Sequence, residues 1–108
     1  MGAEKAMKHG ISMNIAGGTH HAFSNKGEAF CLLYDQTIAA KYLINNKKIN
    51  KILIVDLDVH QGNGTASIFK SNKKVFTFSM HGAKNFPFKK EKSDLDIELE
   101  ENTQMKNI

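Results

Sequence analysis

The sequence predicts an α/β protein in which a mostly parallel sheet lies between two layers of helices, a three-layer α/β/α arrangement. Two observations lead to this prediction. Strand-like and helix-like segments alternate along the chain, and residues 52–55 form the unbroken apolar run Ile-Leu-Ile-Val. A strand without polar alternation is typical of a parallel sheet that is covered on both faces. Because 108 residues are few for such a fold, we expect the chain to be part of a single domain.

The first third of the chain predicts a helix, a strand and a second helix. The helix in "AEKAMKH" is expected to end at Gly10, and "ISMNIA" is expected to form a short strand that stops at the following glycine pair. The next helix is predicted from about Tyr34 to Asn46. Its spacing places Ile38, Tyr42 and Leu43 on one apolar face of the helix.

The rest of the chain continues the alternation. A strand at 52–56 is followed by a short helix in "GTASIFK", for which Asn63 or Thr65 would be the cap. The segment "KVFTFSMH" predicts a further strand. The charged tail from residue 89 is expected to be a loop with an edge strand in "DLDIELE".

The composition limits the classes of function. The net charge is +4, but all fifteen cationic residues are lysines scattered along the chain, so direct nucleic-acid binding is not expected. The apolar runs are too short to span a bilayer, and the N terminus lacks the apolar centre of a signal peptide. A cytoplasmic protein is therefore predicted. The single Cys31 excludes an intramolecular disulfide and argues against a thiolate zinc site.

Polar side chains follow three of the predicted strands. Parallel sheets bind ligands at the carboxyl ends of their strands, so these side chains are expected to converge on one crevice. They are His20 and His21 after the first predicted strand, Asp58 and His60 after the second, and Ser79 and His81 at the third.

Asp58 and His60 are candidate metal ligands. Side chains two positions apart on an extended strand end lie on the same side, and carboxylate oxygen and imidazole nitrogen are ordinary zinc ligands. The alternative is that Asp58 caps the turn while His60 is an ordinary core histidine. The apolar strand favours a metal because an unpartnered buried carboxylate is costly, and the glycines of "GNG" allow a ligand to approach the backbone closely.

The doublet His20-His21 is a candidate acid–base pair, because imidazole titrates near neutral pH. An acidic partner favours the charged form of a histidine, whereas an amide partner leaves the ring freer to accept a proton. The alternative is an exposed loop pair without a catalytic role.

Four motifs occur in a fixed order along the chain: "GGTHHAF", "GEAFC", "ILIVDLDVHQGNGTA" and "FTFSMHGAKNFPF". Together they resemble the zinc-dependent histone deacetylase superfamily, nearest to its bacterial and class IV-like members. The resemblance covers roughly residues 9–100 and implies an arginase/deacetylase fold, with residues 1–108 as the central portion of one catalytic domain. It also implies hydrolysis of an N-acetyl group from a lysine-like amine.

The resemblance implies a role for each residue of the strand end and the histidine pair. Asp58 and His60 would be two ligands of a catalytic zinc, and the histidines would face the metal-bound water. Asp56 would be the partner of His20. The corresponding partner of His21 is an Asp in some classes, but this chain has Asn63, which would leave His21 more readily neutral and better suited as the base.

Further residues match the substrate channel and a second ion site of the family. Phe30 and Phe86 match the aromatic walls around the acetyl-lysine stem. A structural monovalent cation such as K⁺ is implied as well. Its matching residues are Asp56, Ser79 and Met80, together with the backbone oxygens of Asp58 and His60.

The spacing separates this chain from binuclear relatives. Arginase-type manganese enzymes carry D-x-H-x-D, whereas Gly62 occupies the position of the second acid here, so a mononuclear zinc site is expected. The family's third zinc ligand, an Asp, and its catalytic Tyr would lie beyond residue 108. The isolated chain is therefore expected to be inactive.

A non-catalytic remnant that binds an acetylated ligand or a protein partner is the alternative function. Within the enzyme interpretation, the acetylated substrate could be a protein lysine, a polyamine or another small amine. The sequence predicts no oligomeric state.

Overall fold

The computed structural model describes residues 1–104 as an α/β chain built on a three-stranded parallel sheet. The strand order is β1-β2-β3, and both neighbouring pairs are parallel. The predicted class, α/β with a parallel sheet, is confirmed. The elements are α1 (Gly2–His9), α2 (Asp35–Asn46), β1 (Ile52–Asp56), α3 (Asn63–Phe69), β2 (Val75–Gly82) and β3 (Leu95–Leu99).

Helices α2 and α3 pack on one face of the sheet. Their common core with the sheet consists of Ala40, Ile54, Phe69 and Val75. On the opposite face, Leu53 and Val55 of β1 are 62% and 50% exposed. Within residues 1–104, helices therefore cover one face of β1, and the second layer predicted from the apolar run is not part of this stretch. The apolar side chains on the open face are those that a second layer would bury.

The predicted face of α2 was wrong, although the helix itself is present. Thr37 and Ala40 are its buried residues, whereas Ile38 is 54% exposed. The small side chain of Ala40 allows the helix to approach Ile54 of β1 closely. Tyr42 lies toward α1 instead, and its hydroxyl donates a hydrogen bond of 3.1 Å to the carboxylate of Glu4.

The strand predicted in "ISMNIA" was also wrong. Ile11, Met13 and Ile15 are 83%, 88% and 96% exposed, and no strand of residues 1–104 pairs with this segment. A strand requires a neighbouring ladder to satisfy its backbone groups. The helix before this segment ends at Gly10 as predicted, with a φ of 86°.

The edge strand predicted in the tail is present as β3, parallel to β2. A buried glutamine holds the loop that leads into it. The Gln61 amide donates to Glu91 O at 2.8 Å and to Asp96 Oδ1 at 2.9 Å, and its carbonyl accepts the Glu91 N–H at 2.9 Å. The tail is thus joined to the segment that follows β1.

No helix within residues 1–104 is long and apolar enough to cross a membrane. The cytoplasmic location stays a prediction.

Candidate active site

The end of β1 turns sharply and brings two candidate ligands together. Asp56 Oδ1 accepts the backbone N–H of Asp58 at 3.0 Å, and Asp58 Oδ1 accepts that of His60 at 2.8 Å. These two successive Asx turns follow directly from the D-x-D-x-H spacing. As a result, His60 Nδ1 lies 3.2 Å from Asp58 Oδ1, close enough for both side chains to contact one ion.

The histidine pair lies on a loop, but the strand that was predicted to precede this loop is absent from residues 1–104. The loop is anchored to the first residue of α2, because Asp35 accepts the N–H groups of Gly18 at 3.1 Å and Thr19 at 3.4 Å. Gly17 and Gly18 have φ values of 119° and 77°, and a Cβ at Gly17 would overlap the Asp35 carboxylate. The glycine pair is therefore required for this anchorage.

Helix α3 holds the same loop from the other side. The N–H of Gly64 donates to His20 O at 3.0 Å, and a Cβ at Gly64 would lie 2.7 Å from that oxygen. The prediction that Asn63 or Thr65 caps this helix was wrong, since Gly62 is the N-cap and no side chain caps it. Thr65 instead contacts the hydroxyl of Tyr34.

The two histidines have chemically different partners. His20 Nδ1 lies 2.6 Å from Asp56 Oδ2, and His21 Nδ1 lies 2.7 Å from Asn63 Oδ1. The ring centroids of the pair are 4.0 Å apart. His20 Nε2 lies 3.9 Å from Asp58 Oδ1, so the pair faces the candidate ligands.

The pKa values of the two histidines are shifted in opposite directions. Burial would lower the pKa of His20, but the hydrogen bond and charge of Asp56, together with the charge of Asp58, raise it above its ordinary value. Burial lowers the pKa of His21, the hydrogen bond with Asn63 opposes this in part, and neighbouring His20 and His60 lower it further. An acid–base pair needs such a separation.

The carboxylate of Asp58 is suited to bind a cation. Partial burial would raise its pKa, but the backbone N–H of His60 and the charges of His20 and His60 hold it below its ordinary value. Asp58 and His60 thus form a zinc-type donor pair. Residues 1–104 contain no group of three His, Cys, Asp or Glu side chains that could hold a metal, so they supply this pair and no third donor of these types.

The two candidate channel aromatics lie in different surroundings. The Phe86 ring meets His21 edge-on at 5.0 Å between centroids and lies 6.4 Å from His60. Phe30 is fully exposed at the tip of a tight turn in which Glu28 and Cys31 exchange backbone hydrogen bonds of 3.0 and 2.9 Å. Phe86 therefore borders the histidines directly, whereas Phe30 lies at the surface.

A lysine holds the loop that carries Phe86. Lys90 Nζ donates to the backbone oxygens of Ala83 at 3.1 Å, Asn85 at 2.6 Å and Pro87 at 2.8 Å. All three ammonium hydrogens are thereby used within one loop. This position of Lys90 was not predicted, because three carbonyl partners cannot be inferred from a lysine in a charged tail.

The residues of the predicted monovalent cation site lie at neighbouring strand positions. Asp56 and Ser79 are register partners on β1 and β2, and Met80 follows Ser79. Ser79 is buried, and its hydroxyl is 2.9 Å from His81 Nδ1. Carboxylate, hydroxyl and backbone oxygens are donors that hard cations accept. The cation site stays a prediction.

The chain is thus a parallel α/β domain in which a histidine pair faces an Asp-His pair. The family model described as "Histone deacetylase domain" matches residues 1–107. The chain belongs to the histone deacetylase family.

The chain is also similar to individual proteins and to a solved structure. The chain is 54% identical over 99 residues to an uncharacterized protein of Picosynechococcus sp., covering 92% of this chain and 33% of that protein. It is 31% identical over 88 residues to histone deacetylase 2 of Arabidopsis thaliana, covering 82% of this chain and 23% of the relative. The crystal structure of a histone deacetylase homolog from Aquifex aeolicus is similar with a TM-score of 0.77 and 28% identity, over 91% of this chain and 30% of that one.

The chain spans a third or less of the length of these relatives. The residues described above therefore correspond to part of each of those longer proteins.

Proposed function

We propose that the complete gene product is a zinc-dependent deacetylase that hydrolyses the N-acetyl group of acetyl-lysine or of a similar acetylated amine. Membership of the histone deacetylase family supports a deacetylase in general. The observation that supports a mechanism with a histidine acid–base pair is the pairing of His20 with Asp56 and of His21 with Asn63.

In this proposal Asp58 and His60 hold the zinc. Zinc, when bound, polarises the acetyl carbonyl and activates a water molecule. The fit of the pair is supported by the 3.2 Å between His60 Nδ1 and Asp58 Oδ1 and by the lowered pKa of Asp58. A catalytic zinc normally has three protein ligands, so a third donor would come from outside residues 1–104.

His21 is the proposed general base. Its pKa is below the ordinary value, chiefly because of burial, so it is neutral and able to accept a proton from water at Nε2. His20 is the proposed general acid. Asp56 favours its protonated form, from which Nε2 donates a proton to the departing amine nitrogen.

The channel for the acetylated side chain would run beside Phe86. An aromatic face next to the histidines would cover the alkyl stem of a lysine and exclude water from the reacting carbonyl. Phe30, which is exposed, would contribute the outer wall of the same channel. A K⁺ ion at Asp56, Ser79 and Met80 would have a structural role.

The test is a zinc titration of the complete gene product with an acetyl-lysine peptide and an acetylpolyamine as alternative substrates. Zinc-dependent release of acetate is expected and should be lost in Asp58→Ala and in His21→Ala, while His9→Ala is the exposed control. The separate 108-residue chain is expected to be inactive. Zinc binding without acetate release from either substrate would contradict the proposal and favour a binding protein.

A further inference from the structure

The side chain of Asn63 is bonded on both sides. Its Oδ1 lies 2.7 Å from His21 Nδ1, and its Nδ2 donates to Glu28 Oε1 at 3.0 Å. Asn63 is 2% exposed, so water cannot easily replace either partner. Glu28 is thus connected to the proposed base through one amide group.

Glu28 can bond Asn63 in one way only. An ionised carboxylate has acceptors and no donor, so the amide must turn its NH₂ group toward Glu28. The amide oxygen of Asn63 then faces His21 and can only accept a hydrogen bond from the ring. His21 must therefore donate from Nδ1, which leaves the lone pair of the neutral ring on Nε2.

We propose that Glu28 is a positioning residue that sets the tautomer of His21 through the amide of Asn63. This inference rests on the proposed function, in which the Nε2 atom of His21 accepts a proton. Without the carboxylate, the amide of Asn63 could rotate by half a turn and present its NH₂ group to His21. The ring would then carry its hydrogen on Nε2, where it could not accept one.

Glu28 is itself held in place by two features. Lys26 Nζ donates to Glu28 Oε2 at 2.6 Å, which leaves Oε1 for Asn63. The hydrogen bond from Lys26 is also the main reason why the pKa of Glu28 lies below its ordinary value, so the group is an acceptor at neutral pH. The backbone of Glu28 opens a turn in which Ala29 and Phe30 have φ values of 47° and 66°.

The arrangement suits an asparagine at position 63 and not an aspartate. Asn63→Asp would place two carboxylates about as close together as the present 3.0 Å hydrogen bond, with no hydrogen between them. Glu28→Gln would supply that hydrogen, because the glutamine amide can donate to the new carboxylate. The two positions are therefore expected to depend on each other.

The first experiment uses Glu28→Ala and Glu28→Gln in the complete gene product, with histidine ¹⁵N labelling. The ¹⁵N shifts of His21 should report hydrogen on Nδ1 in the parent and in Glu28→Gln, whose carbonyl still accepts from Asn63. Glu28→Ala should show a tautomer mixture and a kcat about tenfold lower, the effect of roughly one net hydrogen bond. Glu101→Ala removes an exposed carboxylate elsewhere and is the control, expected to change neither quantity.

The second experiment compares Asn63→Asp with the double variant Glu28→Gln/Asn63→Asp. The double variant should have the higher kcat and the higher midpoint of urea unfolding. This comparison tests the role of Glu28 even if Glu28→Ala does not fold. An unchanged His21 tautomer in Glu28→Ala, or no advantage of the double variant, would overturn the inference. A shifted tautomer in a parent protein that lacks deacetylase activity would support the role of Glu28 and refute the proposed function instead.

Discussion

His20 Nδ1 lies 2.6 Å from Asp56 Oδ2, while the other carboxylate oxygen of Asp56 accepts the backbone N–H of Asp58 at 3.0 Å. One side chain thus joins the histidine loop to the strand end that carries the proposed metal ligands. It also raises the pKa of His20 against the effect of burial. The position and the charge of the proposed acid therefore depend on the same residue.

Asp56→Asn should keep the contact with His20 but remove the negative charge. Because the charged form of His20 then loses its counter-charge, we expect kcat for deacetylation to fall by about a hundredfold or more, the usual contribution of a general acid. Steady-state kinetics of the complete gene product measure this. Glu98→Gln, an exposed position on β3, is the control. An Asp56→Asn variant with the parent's kcat would rule out this role of His20.

Gly64→Ala should separate α3 from the histidine loop. The added Cβ would overlap the Ala22 carbonyl and lie 2.7 Å from the His20 carbonyl oxygen. Both contacts are with backbone, so relief requires a chain shift, and we expect a loss of about 1–3 kcal/mol in the free energy of unfolding. Urea unfolding measures the loss. Ser67→Ala on the same helix is the control, and equal stability of the two variants would contradict the close approach.

Lys90→Met should loosen the loop that holds Phe86 beside His21. Three backbone oxygens lose their donor at once, so the aromatic wall should move while the histidine pair keeps its partners. We expect KM for an acetyl-lysine peptide to rise about tenfold, the equivalent of one to two net hydrogen bonds, with a smaller change in kcat. Lys89→Met is the neighbouring exposed control. A fall in kcat at constant KM would argue against a role in substrate binding.

Protonation of His81 should destabilise the metal-free protein in mild acid. Burial lowers the pKa of His81 below 6.5, and the positive charge of Lys90 lowers it further. The negative charges that oppose this shift are those of Asp96, Glu98 and Asp56. A histidine whose pKa is lower in the folded state adds stability above pH 6.5, and this is lost as the pH falls toward the folded value.

The measurement is the urea midpoint of parent and His81→Gln proteins between neutral and mildly acidic pH. The parent should lose more stability than the variant as the pH falls below 6.5. The lowered pKa of His21 also makes the protein less stable as the pH falls, whereas the raised pKa of His20 has the opposite effect. Both histidines are present in the parent and in His81→Gln, so their effects cancel in the comparison. His9→Gln, at an exposed helix end, is the control. Parallel pH profiles for parent and His81→Gln would refute the prediction.

The amino-acid sequence by itself determined the local elements that carry strong patterns. The apolar run of β1, the alternation in "DLDIELE" and Gly10 at the end of α1 led to elements that are present. The D-x-D-x-H spacing was sufficient to bring Asp58 and His60 together, because Asx turns depend on residues two positions apart. Such features depend on near neighbours in the chain.

Tertiary structure alone decided which residues meet across long stretches of sequence. "ISMNIA" has a strand-like composition but lacks a paired ladder, and Ala40 rather than Ile38 faces the sheet because a small side chain permits close packing. Local pattern alone predicted Asn63 as a helix cap, and only the family resemblance implied its pairing with His21, 42 residues away. Its hydrogen bond to Glu28, 35 residues away, was not predicted. Hydrogen-bond partners at such distances are selected by the packing of loop, helix and strand, and no local pattern encodes them.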